Sequence, residues 1–481
     1  MFEKGHQCQI RIEDMGSDGQ GVGRADGLAV FVQGAVVGDL VTVELTKVKK
    51  RYAFSKLLQI DEASSQRIAP LCEMKGCGGC GLGRMSYESQ LALKETQVRD
   101  KLMRLGGVEN PKVNPIMGME EPFRYRNKAQ FPISTGGIIT RKGGIIENLG
   151  EPAIGFYKTK SHEVVNCDDC MLQSEAAMAA ACALRQFMEE DNITAWDDKW
   201  EKGLMRHLIV KTAFGTGEVM VVLVINGNGI PNGQKLVEML DRAVYEAGYS
   251  LESVVLNVNK KKTSRIMGEE CVLMAGKQTI LEQVGGMSFE ISPLSFYQVN
   301  PAQMKVLYDK ALEYAALKGT ENVLDLYCGV GTIGLYCAGQ AGNVVGIESV
   351  KNAVLDANRN AVINGIVNAR FLCGKAEEEL PRLLQEKDSD DPLAGWVQNA
   401  DVAILDPPRA GCAPELLQAV AQTRASRIVY VSCDPATLAR DVKLLGELGY
   451  AFVEATPVDM FPWTVSVETV ALLSIRHILR K

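Results

Sequence analysis

The sequence predicts an α/β chain in three parts: an OB-like β-barrel, a central α+β segment and a Rossmann-like βαβ half. Three observations carry that expectation. The first sixty or so residues, taken as 1–60, are short β-branched runs broken by turn signals. A cluster of cysteines in glycine-rich chain opens the second part, 61–280. In the third part, 281–481, apolar strands alternate with helices, and a G-x-G-x-x-G turn follows one of the strands.

At 481 residues the chain has room for two or three domains with their own cores. A net charge of −7 argues against wholesale coating by nucleic acid but permits a local basic groove. The opening stretch, MFEKGHQCQIRIEDMG, has no apolar signal segment, and no run is long enough to span a bilayer; a cytoplasmic location and no membrane partner are expected. Thirteen cysteines without an export signal point to thiol, metal or cluster chemistry rather than disulfides.

In the barrel, Ala29–Gln33 and Val36–Leu45 read as strands, and Asp26-Gly27 is a tight-turn signal before the first. Lys47, Lys49, Lys50, Arg51 and Lys56 then interleave with Tyr52 and Phe54. Cations beside aromatics suit a nucleic-acid surface. The same pattern also guards an edge strand against aggregation.

Cys72, Cys77 and Cys80 share one glycine-rich loop that can wrap a bulky inorganic centre. A fourth thiolate has two candidates, Cys167 and Cys170, in NCDDCMLQ. Three clustered cysteines plus a remote one suit iron–sulfur ligation; a structural zinc, which more often uses paired C-x-x-C knuckles, is the alternative. A helix over 87–105 follows, stops at Gly106-Gly107, and is a candidate to pack on the catalytic half. A strand over FRYRNKAQF would align Arg124, Arg126 and Lys128 on one face, with Tyr125 on the other, in a row suited to phosphates. Strands over His207–Thr212 and Glu218–Ile225 meet around Gly215–Gly217, and a helix follows Pro231. Lys260–Lys262 with Arg265 is a second basic candidate, and Gln385–Asp391 reads as an acidic surface loop.

The run ENVLDLYCGVGTIGLYCAG is strand, glycine-rich turn, helix, with Gly329, Gly331 and Gly334 in the fingerprint and Glu348 ending the next strand. Nicotinamide and S-adenosylmethionine enzymes share this pattern. Asp325, just before the glycines, favours the second: it would face a cationic amino-acid group, whereas it would repel a pyrophosphate. Asp406-Pro407-Pro408 after the strand DVAIL resembles the Asp/Asn-Pro-Pro loop of nucleic-acid methyltransferases. Finally, Ile428–Val431 is a buried-strand pattern and Asp434-Pro435 starts a helix over Ala436–Leu445. Cys433 sits between them, where a helix N-terminus favours a nucleophilic thiolate. A small buried cysteine is the alternative.

With SFYQVN at 295–300, LDLYCGVG at 324–331, LDPPRAG at 405–411, VSCDPATLARD at 431–441 and MFPWTVSVET at 460–469, the chain resembles the RNA 5-methyluridine methyltransferases. YRNKAQF at 125–131 is a further match, and GQGVGRADGLAVFVQGAVVGD resembles the TRAM domain, an RNA-binding barrel. Specifically, the chain resembles the subgroup that carries a TRAM domain and a 4Fe–4S cluster and acts on 23S ribosomal RNA. The resemblance implies an S-adenosylmethionine-dependent methyltransferase domain behind a central iron–sulfur domain. It implies that Gln298, Tyr327, Glu348 and Asp406 line the S-adenosylmethionine site, that Cys433 is the nucleophile and that Glu468 is the base. It also implies Cys72, Cys77, Cys80 and Cys170 as cluster ligands, since Cys170 stands in the family's C-x-[IL]-Q. Two departures stand out: four rather than five residues separate Cys72 from Cys77, and Trp463 and Ser466 occupy positions where the family has histidines. The expected partner is RNA, ribosomal rather than transfer, and the expected state is a monomer. Transfer-RNA uridine-54 methylation and a non-catalytic RNA-binding iron–sulfur module are the rival readings.

Overall fold

The computed structural model describes residues 2–476 except 75, 136–139, 143–144, 148–151, 160, 198–199, 262–264 and 387–391. The first five strands, β1 (Gln7–Met15), β2 (Gly21–Ala25), β3 (Leu28–Val32), β4 (Leu40–Val48) and β5 (Tyr52–Glu62), close a barrel in the order β1-β2-β3-β5-β4. Asp26 and Gly27 both take positive φ, 44° and 83°, as a two-residue hairpin between β2 and β3 requires. Val30, Val32, Val41, Val43 and Leu45 fill the interior. Phe31, Tyr52 and Phe54 form a mutually packed trio of rings on the barrel, with centroids 5.5–6.0 Å apart.

The cysteine loop leads into α1 (Tyr87–Arg104), which Ser86 caps by accepting from the Ser89 N–H. Val98 and Leu102 of this helix lie in the same core as residues of the C-terminal half. The central segment supplies β6 (Lys128–Thr135), β7 (Thr140–Lys142), β8 (Ile145–Glu147), β9 (Pro152–Tyr157), β10 (Val164–Asn166), α2 (Glu175–Glu190), β11 (Met205–Thr212), β12 (Glu218–Ile225), α3 (Gly233–Glu246), β13 (Ser250–Val258) and β14 (Glu270–Gly276). Seven of these strands form one sheet in the order β10-β9-β6-β11-β12-β13-β14. Its centre is buried on both faces, which is why EVMVVLVI is apolar almost throughout instead of alternating. Val219, Val221 and Leu223 pack under α2 and α3, while Met220, Val222 and Val224 join the core of the C-terminal half.

That half begins with the hairpin β15 (Ile280–Val284) and β16 (Met287–Ile291), then α4 (Pro301–Ala315). The alternation follows: β17 (Asn322–Leu326), α5 (Thr332–Ala338), β18 (Asn343–Glu348), α6 (Lys351–Ile363), β19 (Ala369–Cys373), α7 (Ala376–Gln385), α8 (Pro392–Gln398), β20 (Val402–Leu405), α9 (Pro414–Thr423), β21 (Arg427–Ser432), α10 (Pro435–Glu447), β22 (Tyr450–Val458) and β23 (Glu468–Ile475). The sheet order is β19-β18-β17-β20-β21-β23-β22; β17 to β21 run parallel and β23 pairs antiparallel with both β21 and β22. The strand order reverses between β17 and β20, so a crevice opens beyond their carboxyl ends, where ligands bind in such sheets.

Candidate active site

Four parallel strands end at the mouth of this crevice, and each delivers one residue singled out above. Asp325 is the penultimate residue of β17, and Glu348 ends β18. Asp406 follows β20, and Cys433 follows β21. The fifth, Glu468, starts β23. Ser432 pairs with Thr469 in the β21–β23 ladder, so continuing that register by one residue sets Cys433 against Glu468. Asp434 caps α10 by accepting from the Ala436 and Thr437 N–H groups, and this fixes the turn that carries Cys433.

The electrostatics differ from the expectation for a helix N-terminus. Burial, then the carboxylates of Glu468 and Asp406, push the Cys433 thiol up to about 11, against a smaller downward pull from Arg409. The expected thiolate stabilisation is thus outweighed, first by burial and then by two acids brought in by distant strands. Burial, then Asp406, raises Glu468 to about 8; burial, then Asp325, raises Asp406 to about 7. Asp325 is itself fully buried and raised to about 7. The crevice therefore holds three carboxyl groups raised toward neutrality, and among the described residues no buried positive charge contributes to their titration.

That arrangement fits a cationic ligand. Asp325 Oδ2 accepts from the Gly334 N–H at 2.8 Å, while its Oδ1 is buried with no hydrogen-bond partner. A Cβ at Gly334 would stand 2.7 Å from Asp325 Oδ2, so the glycine is what lets the turn close over the acid. Tyr327, Gly329 and Gly331 all take positive φ, of 66°, 55° and 78°, and wind the loop around the strand end. Glu348 accepts from the Gly329 N–H at 3.1 Å and from the Val350 N–H at 2.7 Å. Gln298 lies in the loop before α4, half-buried; its carbonyl accepts from Asn127 Nδ2, and buried Lys211 holds the same loop through Ser292 O and Ser295 O. Gln298, Asp325, Tyr327, Gly329, Gly331, Glu348 and Asp406 are thus on loops and strand ends that suit S-adenosylmethionine.

A second assembly lies in the central segment. Cys72, Cys77, Cys80, Cys167 and Cys170 line one cavity of about 390 Å³ together with Arg126, Lys128 and Gln173. Among the described residues no three His, Cys, Asp or Glu side chains are close enough to hold a single metal ion. The Cys167 thiol donates to Asp169 O at 3.3 Å, and Cys167 with backbone N–H groups draws the Cys170 thiol below its ordinary value, whereas burial pushes Cys80 up to about 12.

The cationic row over 124–128 does not form. Arg124 has φ 51° and β6 starts only at Lys128, so the period-two face is broken. Arg124 instead pairs with Asp169 at 2.7 Å and donates to Cys170 O, which braces the cysteine segment. Lys260 and Arg265 are exposed, whereas Lys262 and the stretch 387–391 lie outside the described residues. No described helix is long and apolar enough to cross a membrane.

The sequence reading missed two groups. Arg409, in the DPPRAG loop, is a cation whose field reaches both Cys433 and Glu468. Buried Tyr308 on α4 shares a hydrogen bond of 2.7 Å with Thr332 and lies within the field of Asp406, Asp325 and Glu468. Arg409 could have been found from its place beside Asp406-Pro407-Pro408; nothing local marks Tyr308.

Comparison with known proteins agrees with this geometry. Residues 251–476 match the family described as tRNA (uracil-5-)-methyltransferase, and residues 2–58 match the TRAM domain. An uncharacterised RNA methyltransferase of Caldanaerobacter subterraneus is 45% identical over 470 residues, covering 98% of each chain. Another, from Halalkalibacterium halodurans, is 41% identical over 478 residues, again covering 98% of each. The solved structure of the Pyrococcus abyssi tRNA (uracil-54, C5)-methyltransferase, in complex with S-adenosyl-L-homocysteine, is similar with a TM-score of 0.73 and 29% identity, over 97% of this chain and 100% of that one.

Proposed function

Since the chain belongs to the RNA (uracil-5-)-methyltransferase family and is an RNA uracil-C5 methyltransferase, we propose that it works through a covalent Cys433–uracil adduct, with Glu468 as the base. The observation that carries this is the meeting of Cys433 and Glu468 on neighbouring antiparallel strands beside Asp406. Carbon 5 of uracil is a poor nucleophile. The Cys433 thiol first gives its proton to solvent, which the positive charge of the bound cofactor would favour. Addition of the thiolate to carbon 6 then converts the ring to an enolate with its electron density on carbon 5. S-adenosylmethionine, when bound, supplies the electrophilic methyl group and a positive charge. Asp325 and Asp406 ionise against that charge, and their buried carboxylates orient it toward the uracil. Glu468 then removes the proton from carbon 5; electrons return to carbon 6 and expel the Cys433 sulfur. Burial and Asp406 raise Glu468 to about 8, so at neutral pH it has to lose its own proton before this step. The positive charge of the bound cofactor would favour that ionisation, and the carboxylate so formed is a strong base. The uridine has to leave its stack to reach Cys433.

The barrel (1–60) is assigned to RNA binding, and the remaining chain divides into a central domain (61–280) and a catalytic domain (281–481). Cys72, Cys77, Cys80 and Cys170 are proposed to hold a 4Fe–4S cluster. Their donor set fits it: a multi-iron centre spreads its thiolates, whereas a tetrahedral zinc draws four sulfurs to within about 4 Å of one another. The proposed substrate is 23S ribosomal RNA and the proposed state a cytoplasmic monomer. The test is tritium release from RNA labelled at carbon 5 of uridine, with mass-spectrometric mapping of 5-methyluridine in ribosomal and transfer RNA from a strain lacking the gene. Absence of tritium release refutes the chemistry; loss confined to transfer RNA refutes the ribosomal assignment.

A further inference from the structure

The connection from β22 to Glu468 has no regular structure, yet its backbone is gripped carbonyl by carbonyl from outside. Gln303 Nε2 donates to Asp459 O at 3.1 Å, and Asn300 Nδ2 to Met460 O at 3.0 Å. Lys94 Nζ donates to Phe461 O at 3.1 Å, Tyr125 Oη to Pro462 O at 2.9 Å, and the Leu82 N–H to Trp463 O at 3.0 Å. Five consecutive carbonyls thus meet five different donors, three of them (Leu82, Lys94 and Tyr125) from chain that precedes the C-terminal half. Trp463, which replaces a family histidine, has φ 69°, a strained conformation for a bulky residue. Gln90 Oε1 accepts its N–H, and its indole N–H donates to Pro122 O at 2.8 Å.

Lys94 is the centre of this grip. It is fully buried, and besides Phe461 O it meets the fully buried Asp459 at 2.6 Å, across 365 residues of chain. Two apolar side chains in the same place would often stabilise a protein as well or better, so stability alone is a poor reason for a buried ion pair. Its geometry is specific: the ammonium fixes both a side chain and a carbonyl at the root of the segment that ends in Glu468.

We propose that Lys94 is a positioning residue for Glu468, acting through the Asp459–Trp463 backbone to set where the carboxyl group meets the proton on carbon 5. The proposal rests on Glu468 being the base. A base displaced by a fraction of an ångström still lies in the crevice but loses its alignment with the C–H bond. Nucleophilic attack and methyl transfer do not pass through the Asp459–Trp463 backbone and remain intact.

The test uses full-length Lys94→Met/Asp459→Leu, which removes both charges without leaving one buried alone. The RNA is total RNA labelled with 5-tritiated uridine in a strain lacking the gene. Tritium release is expected to fall about tenfold or more, while adduct formation stays within about twofold and covalent protein–RNA accumulates on denaturing gels. S-adenosylmethionine affinity by calorimetry should be unchanged. Tyr125→Phe, which removes one hydroxyl and keeps the ring, should give the same split at about threefold and decides the matter if the double variant does not fold. Wild-type partition between the two steps, or equal loss of both, overturns the proposal. Glu468→Gln run in parallel separates the two ideas: if it accumulates no adduct, the base assignment fails; if it does and the loop variants do not, only the positioning role fails.

Discussion

The crevice and the cysteine cavity are both built from residues far apart in sequence, but they are held in different ways. In the crevice each functional group sits at the end of a hydrogen-bonded strand, so the sheet register fixes it before any ligand arrives. In the cavity the thiols come from a loop with only isolated bridges, Arg67 to Met85 and Cys77 to Lys158, and from the segment after β10. Regular structure supplies the geometry in the first case. In the second, the proposed cluster would have to supply it. Breaking the crevice should therefore remove chemistry with little change in fold, and breaking the cavity should loosen fold with indirect change in chemistry.

The sharpest break is Cys433→Ala. Turnover should fall by about 10⁴-fold or more and no covalent RNA species should form, while S-adenosylmethionine binds with near-normal affinity. Single-turnover methylation and calorimetry check this, and an active variant would falsify the adduct mechanism. Glu468→Gln comes next: turnover should drop by about 10²-fold or more, with a methylated protein–RNA species that survives denaturing gels. Normal turnover would mean that another group takes the proton.

On the cavity side, if the proposed 4Fe–4S cluster is present, Cys170→Ser should lose or destabilise the brown colour that it gives, lower the stability of the central segment and weaken RNA binding more than cofactor binding. Cys167→Ser keeps a donor toward Cys170 and should do little. Iron, zinc and sulfide analysis after anaerobic purification reads the outcome. Stoichiometric zinc without iron refutes the cluster; retention of the colour in Cys170→Ser with loss in Cys167→Ser reverses the choice of ligand.

The same contrast governs what could be read from the sequence. Strand–turn–helix motifs placed the candidates Asp325, Glu348, Asp406 and Cys433 at strand ends, as observed, because each motif contains both the residue and the local structure that presents it. The α1 helix was expected over 87–105 and ends at Arg104. What failed were statements that needed neighbours. Arg124 was placed in a cationic row by alternation, but its positive φ and its pairing with Asp169 depend on the segment after β10. The helix alone predicts an acidic Cys433 thiol, and burial, together with Glu468 and Asp406 from two other strands, reverses the sign. The Lys94–Asp459 pair is invisible in sequence because nothing local links its members.

The smallest expected effect tests that electrostatic reversal directly, through stability instead of rate. Glu468 titrates near 4.5 when exposed and near 8 in the folded crevice, so between these values the native protein holds a proton that the unfolded chain has released. Stability then falls as pH rises through that window: the contribution is fully present below about pH 4.5 and is lost above about pH 8. Glu468→Gln has no such proton, while Asp325 and Asp406 titrate in both proteins and largely cancel in the difference. The melting temperature of the variant, relative to wild type, should accordingly climb by a few degrees between pH 5 and pH 9, corresponding to roughly 1–3 kcal/mol. Cys433 ionises only near 11, beyond this range, and does not contribute. A flat difference would mean that Glu468 is charged in the folded enzyme throughout, and that the crevice contains a compensating cation which the three-carboxylate picture lacks.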